Sequence, residues 1–497
     1  MPKPFFLLLF CYCLFYRVAI ANDVKREYTL GINQQDSVDV HWYNTQDSVF
    51  ELRTAAQLRG LAELVNTGID FYQQEVRLTN DIFLNDTTGY RDWEHDASGY
   101  LEQWTPIGTE EKPFCGTFDG RGHTIYGLYI NRGMASYYQG LFGLVLDGAI
   151  RNVQMKDAFI KAHDHVGGIV GMIGYTSEIR GSSFQGKVIG TGHMVGGIVG
   201  KAEEYNRIID CGNMGDVQGQ RRVGGIVGSF AFGEFYNCFN RGHIKGRHEE
   251  VGGLIGVLLG GRFADRSADA GTFEWAKGVM RDIERRRKMK ARELRYGFAN
   301  NYNIGTVTGE DKVGGLIGAF LSFALQHDTT NSGQGTDLLD VFGLRDQTAI
   351  SVRSATNRGT FFANCYNAGE ISARFPVYTD GLIGHYGWGW RPAVYLLDER
   401  GDSCFWSDSS VVLAKLETWH LPRDMRSFEL PQAKDIYSLR SPKVFEELAD
   451  DTMQTKMFVD RLNIWIEKQK QPFRRWRADQ EHINRGYPIF EPEGGLP

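Results

Sequence analysis

The stretch Val166-Gly167-Gly168-Ile169-Val170-Gly171 decides the fold, because Val-Gly-Gly-(Ile/Leu)-(Val/Ile)-Gly returns from Val195, Val223, Val251 and Val313. A first variant reads Tyr138-Gln139-Gly140-Leu141-Phe142-Gly143, and a last one reads Thr379-Asp380-Gly381-Leu382-Ile383-Gly384. The first five starts are 28, 29, 28 and 28 residues apart. An interval that constant is one coil of a solenoid, not a heptad or a helical period.

A second column runs in the same phase. Between the glycine strands stand Cys211-Gly-Asn213-Met-Gly215, Cys238-Phe-Asn240-Arg-Gly242, Asn301-Tyr-Asn303-Ile-Gly305 and Cys365-Tyr-Asn367-Ala-Gly369, with Ser182 to Gly186 as a degenerate copy. Asparagine two before glycine suits a turn with left-handed backbone angles, and stacked asparagines can bond rung to rung as an amide ladder. Two columns in one register predict an all-β chain folded as a parallel β-helix, a β-solenoid of about 28-residue coils.

The first 21 residues read as a signal peptide, apolar from Phe5 to Phe15 and ending Ala19-Ile20-Ala21, so the expected mature start is Asn22. No later stretch reaches the roughly 18 apolar residues of a membrane helix. Loss of Lys3 and Arg17 with the leader takes the formal charge from -6 to -8, which disfavours nucleic acid as a partner. Five cysteines remain: Cys115, Cys211, Cys238, Cys365 and Cys404. Their odd number and long spacings match neither a disulfide scaffold nor a zinc site, and inward thiols are expected for the repeat column. Pairing of Cys211 with Cys238, or of Cys115 with Cys404, stays open at this level.

Residues 22–135 read as an N-terminal cap and first coils. Thr54 to Gln57 fits a capping box, Leu58, Leu61, Ala62 and Val65 share a helical face, and Asn66-Thr67-Gly68 ends the helix. Strands are expected at Glu75 to Leu78 and from Thr117 through Ile130 around Asp119-Gly120-Arg121-Gly122. The repeat β-helix occupies 136–404, with insertions at about 261–296 and 321–360. Residues 405–497 read as a small α+β C-terminal cap. There Ser441-Pro442 opens a helix carrying Phe445, Leu448, Phe458, Leu462 and Trp465, and Pro488-Ile489-Phe490 is a closing strand.

Several motifs together carry a family resemblance. Trp104-Thr-Pro106-Ile107-Gly108, Phe114-Cys-Gly116-Thr117-Phe118-Asp119-Gly120-Arg-Gly122-His123-Thr-Ile125, the Gly-Leu-x-Gly strands and Asn484-Arg-Gly486-Tyr487-Pro488-Ile489 resemble bacterial GLUG-repeat surface proteins. The resemblance spans about 50 to 490 and implies an exported β-helical protein of the bacterial surface, from a group mostly without known activity. Some relatives add a metallopeptidase domain. Here His248-Glu249-Glu250 runs into Val251-Gly252, with no second histidine for a zinc helix.

The repeat strand poses a question of its own. Alternation places Val166 and Val170 on one face and Ile169 on the other, so one aliphatic face lines the lumen and the other needs a cover. Insertions and the C-terminal cap are one cover; a docked protein on an aliphatic and glycine strip is another.

Interruptions of the period point to a site. The last glycine of the strand normally lies 10 or 11 positions before the cysteine column, but Gly256 to Asn301 takes 45, Gly318 to Cys365 takes 47 and Gly384 to Cys404 takes 20. Three expansions at one corner of consecutive coils must be spatial neighbours. The first holds an expected helix, Lys277 to Arg295, with nine Lys/Arg against three Asp/Glu. The third holds His385-Tyr386-Gly-Trp388-Gly-Trp390-Arg391. Tyr386, Trp388, Trp390 and Arg391, with Arg285, Arg286 and Arg287, are therefore the candidate ligand-binding residues, a platform of rings and guanidinium groups suited to glycans. The plain alternative is a solvated basic helix over packed tryptophans.

A charged column precedes the glycine strand: His163-Asp164-His165, His193, Arg221-Arg222, His248-Glu249-Glu250 and Glu310-Asp311-Lys312. Arg222 is expected to pair with Glu249 or Glu250. Asp164, His165 and His193 are the one conceivable metal or acid/base set. No phosphate-binding loop or Gly-x-Ser-x-Gly elbow occurs, so no catalytic residue, metal or cofactor is assigned. These readings converge on a secreted or cell-surface, adhesin-like solenoid that binds a glycan or a cell-surface protein and leans away from enzyme activity. The alternative is a β-helical polysaccharide lyase or glycoside hydrolase. A groove with three or more carboxylates and a base would favour the enzyme; one floored by Trp388 and Trp390 favours the binder.

Overall fold

The computed structural model describes residues 38–95, 99–203, 205–231, 233–260, 297–322, 361–374, 379–386, 404–407, 411–413, 445–469 and 473–492. Each complete coil turns through four parallel sheets, called faces A to D in chain order. In one coil they are Glu178–Arg180 on A, Ser183–Gly190 on B, His193–Gly196 on C and Val199–Ala202 on D. Coils stack so that each strand pairs in parallel with its equivalent in the next turn. Val166 pairs with Val195, Val195 with Val223, Val223 with Val251, and Val251 with Val313, which is the expected ladder.

The repeat hexapeptide is not one strand. Asp164–Gly167 belongs to face C and Val170–Gly174 to face D, with a corner at Gly168 and Ile169 between them. The corner removes the alternation, so Val166, Ile169 and Val170 are all fully buried, while Val257, Ala319 and Leu259 on face D form a small aliphatic cluster apart from the main core. Register also corrects the first copy, where Gln139 and not Tyr138 stands beside Val166.

The asparagine column forms the ladder inside the lumen. Asn213 Nδ2 donates to Asn240 Oδ1 (2.7 Å), Asn240 to Asn303 (2.8 Å) and Asn303 to Asn367 (2.8 Å). Each amide also holds its own coil: Asn240 Oδ1 accepts from Gly242 N (3.2 Å) and its Nδ2 donates to Gly242 O (3.0 Å). Left-handed angles belong to other columns: His165, Met194, Arg222, Glu250 and Lys312 on face C, and Asp210, Asn237, Asn300 and Asn364 at the corner from A to B. The corner column bonds rung to rung as well, at 2.7 to 2.8 Å.

The ends are built differently. Helix α1, Ala55–Thr67, starts at Thr54, whose hydroxyl accepts from Gln57 N, and stops at Gly68 with φ 121°. Its Leu58, Leu61, Ala62 and Val65 share one core with the lumen residues of the first coils. Trp104 to Gly108 serves as a starter for face D: Ile107 N donates to Leu141 O (3.0 Å) and Gly143 N to Ile107 O (2.9 Å). At the other end Phe445–Leu448 is a strand on face B and not the start of a helix; it pairs with Cys404–Ser407. Helices α2 (Asp450–Met453) and α3 (Lys456–Glu467) follow, then an antiparallel pair of Trp476–Arg477 with Ile489–Phe490. No helix among the described residues is long and apolar enough to cross a membrane.

Gly197 shows why the two sequence columns share a phase. A Cβ there would meet Gly225 O and, at 2.5 Å, Asn213 Oδ1, so glycine is required by the amide across the lumen. Gly197→Val should lower the denaturation midpoint by the equivalent of about 1–3 kcal/mol, the usual cost of overpacking; an unchanged midpoint and slope in urea would place this glycine outside the core.

Candidate functional site

Three departures from the period leave one side of the stack. Ile255–Gly260, Ile317–Ser322 and Ile383–Tyr386 are successive neighbours on face D. The second strand runs to Ser322, past the departure expected at 321, because Leu259 and Gly260 pair with Leu321 and Ser322. The chain re-enters at Gly297–Ala299 and Phe361–Ala363 on face A, and at Cys404–Ser407 on face B. Rungs about 4.8 Å apart thus bring the roots of all three segments together. Tyr386 ends its strand opposite Phe320. Trp388, Trp390, Arg391, Arg285, Arg286 and Arg287, and the helix expected over 277–295, lie outside the described residues.

Face C carries the charged column, and its charges are matched across rungs. Arg222 Nε meets Glu250 Oε2 at 2.9 Å, Glu249 is held by Arg221 and by Lys312 Nζ (2.5 Å), and Glu310 by His248 (2.9 Å) and Arg374 (3.2 Å). The part-exposed pairs contribute about 0–1 kcal/mol each, whereas Glu250 is buried and relies on Arg222 to offset its desolvation. Four carboxylates on neighbouring rungs, Glu249, Glu250, Glu310 and Asp311, answer part of the description of an enzyme groove. The pairing of three of them with cations makes them a neutralised face.

Asp164, His165 and His193 do not converge. Asp164 accepts the backbone N–H of His193, while the His165 ring lies tilted against Tyr138 with centroids 4.9 Å apart and its Nδ1 has no hydrogen-bond partner. Burial, with Lys201 nearby, lowers the His165 pKa to about 4. No group of three or more His, Cys, Asp or Glu side chains among the described residues is arranged to hold a metal. Cys211 and Cys238 sit on adjacent rungs as buried thiols, and burial beside Cys211 pushes the Cys238 thiol well above its ordinary value.

The C-terminal segment, read from the sequence as a cap, packs against the side of the stack. It covers a ring column formed by Phe239, Tyr302 and Tyr366, the residues just before Asn240, Asn303 and Asn367. Phe239 stacks on Tyr302 (5.3 Å) and Tyr302 on Tyr366 (5.2 Å), and Trp476 and Phe490 close over Tyr302. Polar contacts fix its position: Trp476 Nε1 donates to Asn300 Oδ1 (2.7 Å), Asn300 Nδ2 to Arg474 O (2.9 Å), and Tyr366 OH to Pro488 O. Asn484-Arg485-Gly486 wraps around buried Asp479, which accepts from Asn484 N (2.7 Å) and Gly486 N (2.9 Å), and Asn484 Nδ2 reaches Tyr366 OH (3.0 Å). The aromatic at that repeat position was the available signal, since an outward ring on successive rungs requires a cover.

These features define a closed β-solenoid with a flank clamp and three loop roots on one side. Known proteins add distant likenesses. No protein-family model matches the chain. Over 160 residues it is 32% identical to halomucin of Haloquadratum walsbyi, a span of 32% of this chain and 2% of halomucin. Over 136 residues it is 29% identical to a provisionally named Gly-rich membrane protein of Evansella cellulosilytica, covering 26% of this chain and 14% of that protein. A crystal structure from Bacteroides ovatus, provisionally named an immunoglobulin A1 protease, aligns over 90% of this chain and 93% of its own, with a TM-score of 0.44 and 16% identity. That last likeness is too distant to bear on activity.

His165 gives a pH-dependent prediction. Its folded pKa lies below the ordinary 6.5, so the unfolded chain takes up the proton first, and stability is lost as pH falls from about 6.5 towards 4. His165→Gln should show a smaller drop in melting temperature across that window. Parallel curves for the two proteins would mean that this imidazole is solvated in the fold.

Proposed function

We propose that this chain is an exported, surface-acting β-solenoid that works by binding, with a glycan or a cell-surface protein as its ligand. The observation that carries the reading is the convergence of three segment roots on successive strands of face D. A packed, stacked scaffold that concentrates its variable segments at one place is the usual arrangement of a recognition surface on rigid elements. The composition of two of those segments supports glycans: Trp388 and Trp390 offer flat apolar faces, while Arg285, Arg286, Arg287 and Arg391 offer donors for hydroxyl and anionic groups. The leader-like composition of residues 1–21, the resemblance to GLUG-type motifs, and the partial similarity to halomucin and to a Gly-rich membrane protein support export and a place at the cell surface.

Trp388→Ala combined with Trp390→Ala should abolish retention on a polysaccharide or glycan array that holds the wild type, with the circular dichroism unchanged. Arg285, Arg286 and Arg287 replaced by glutamine should weaken binding mainly at low salt, because exposed charges are screened over about 10 Å at 0.1 M. Wild-type retention by both proteins would remove the loops from the binding surface. Shortening of the arrayed polysaccharide by the wild type would instead establish the lyase or hydrolase reading.

A further inference from the structure

A row of hydrogen bonds runs through the corner between faces C and D, and each coil passes one bond to the next. Ile169 N donates to Ile198 O (3.0 Å), Ile198 N to Ile226 O (3.1 Å), Ile226 N to Leu254 O (2.9 Å), Leu254 N to Leu316 O (2.9 Å), and Leu316 N to Leu382 O (2.9 Å). Leu382 N breaks the pattern. It donates to the side chain of Asp380, at 2.9 Å from Oδ1, two residues back in its own coil.

Asp380 stands where the preceding coil has Gly314, its direct partner in the ladder. Along that column a Cβ would collide with its own coil, 2.0 Å from Ile255 O on Gly252 and from Ile317 O on Gly314, and also with the following coil, 2.6 Å from Gly318 N and from Gly384 N. A side chain at position 380 therefore fills the space of a following coil and satisfies the N–H that such a coil would have taken. Its neighbour Thr379 replaces the valine of the ladder, and its buried hydroxyl has no hydrogen-bond partner. Among the described residues, faces C and D both end on this coil, whereas face B continues through Cys404–Ser407 and Phe445–Leu448.

We propose that Asp380 is a built-in terminator of the solenoid, an edge cap that keeps a second copy of this chain from stacking on faces C and D. It does for a sheet row what an N-cap does for a helix, accepting from an N–H that the regular structure leaves over. The ladder thus carries its own length limit, written as one departure from the repeat.

Restoring the repeat tests the idea. Thr379→Val with Asp380→Gly should associate, with a sedimentation coefficient that rises with concentration towards that of a dimer or longer stack. The wild type and Asp380→Asn, which keeps both the side-chain volume and an accepting oxygen, should sediment as one species over the same range. Constant sedimentation of the double variant would overturn the proposal, as would association of Asp380→Asn or of the wild type. A transplant covers the case in which the double variant folds poorly: Gly252→Asp places the cap in mid-stack and should lower the melting temperature sharply, while a wild-type melting temperature there would contradict the steric part of the argument.

Discussion

Within a lumen otherwise lined mainly by apolar side chains, four successive coils each bury an asparagine amide, at 213, 240, 303 and 367, that needs two acceptors and two donors. Asn240 finds all four: Gly242 N and O in its own turn, Asn213 on one side and Asn303 on the other. An amide left short of a partner in such surroundings costs about 1–3 kcal/mol, so the favourable arrangement is a coil placed directly over the last one in the same register. Glycine follows from the same contact. Side chains on Gly225, Gly253 and Gly315 would meet the backbone of the next coil at 2.1 Å and then the amides of Asn240, Asn303 and Asn367, so the glycine and asparagine columns share one close contact and keep one phase.

A ladder of this kind has ends and flanks that need closing, and the chain uses a different device for each. The N-terminal segment supplies a helix over the first lumen residues and a starter strand at Ile107. On the flank, rings at Phe239, Tyr302 and Tyr366 point outward and are covered by Trp476, Phe490 and their neighbours. That cover grips Asn237, Asn300, Tyr302 and Tyr366, on the coils on either side of the two longest departures from the period. Closing a long loop carries an entropic cost that grows slowly with its length. A clamp across these coils opposes their separation where the chain is least continuous.

Periodicity made the stack, the valine ladder, the amide ladder and helix α1 legible from residues alone. It was silent on what happens inside one period. The hexapeptide reads as one alternating strand, yet the glycine pair turns a corner, so Ile169 joins Val166 and Val170 in the core. Left-handed angles were expected at the asparagines before glycine, but they fall on Asp210, Asn237, Asn300 and Asn364, where the chain turns from face A to face B, and on His165, Met194, Arg222, Glu250 and Lys312 of face C. Phe445 and Leu448 fit a helical stripe, yet strand pairing with Cys404–Ser407 decides their state. Of the candidate site, the shared root of the three segments could be read from spacing alone, because equal steps along a solenoid become stacked positions. The acidic and basic column could not be judged by sequence, since whether Glu249 or Glu250 is neutralised depends on which side chain the next coil brings alongside.

The amide ladder is open to a direct measurement. Asn240→Leu keeps an apolar side chain of similar size but strands the Asn213 donor, the Asn303 acceptor and both groups of Gly242, four buried partners at once. Amide hydrogen exchange read by mass spectrometry should then show lost protection in the coils on both sides, at 212–213 and 302–303, together with a lower melting temperature. Protection and melting equal to the wild type would contradict the account, because the stack would then hold its register without the amides.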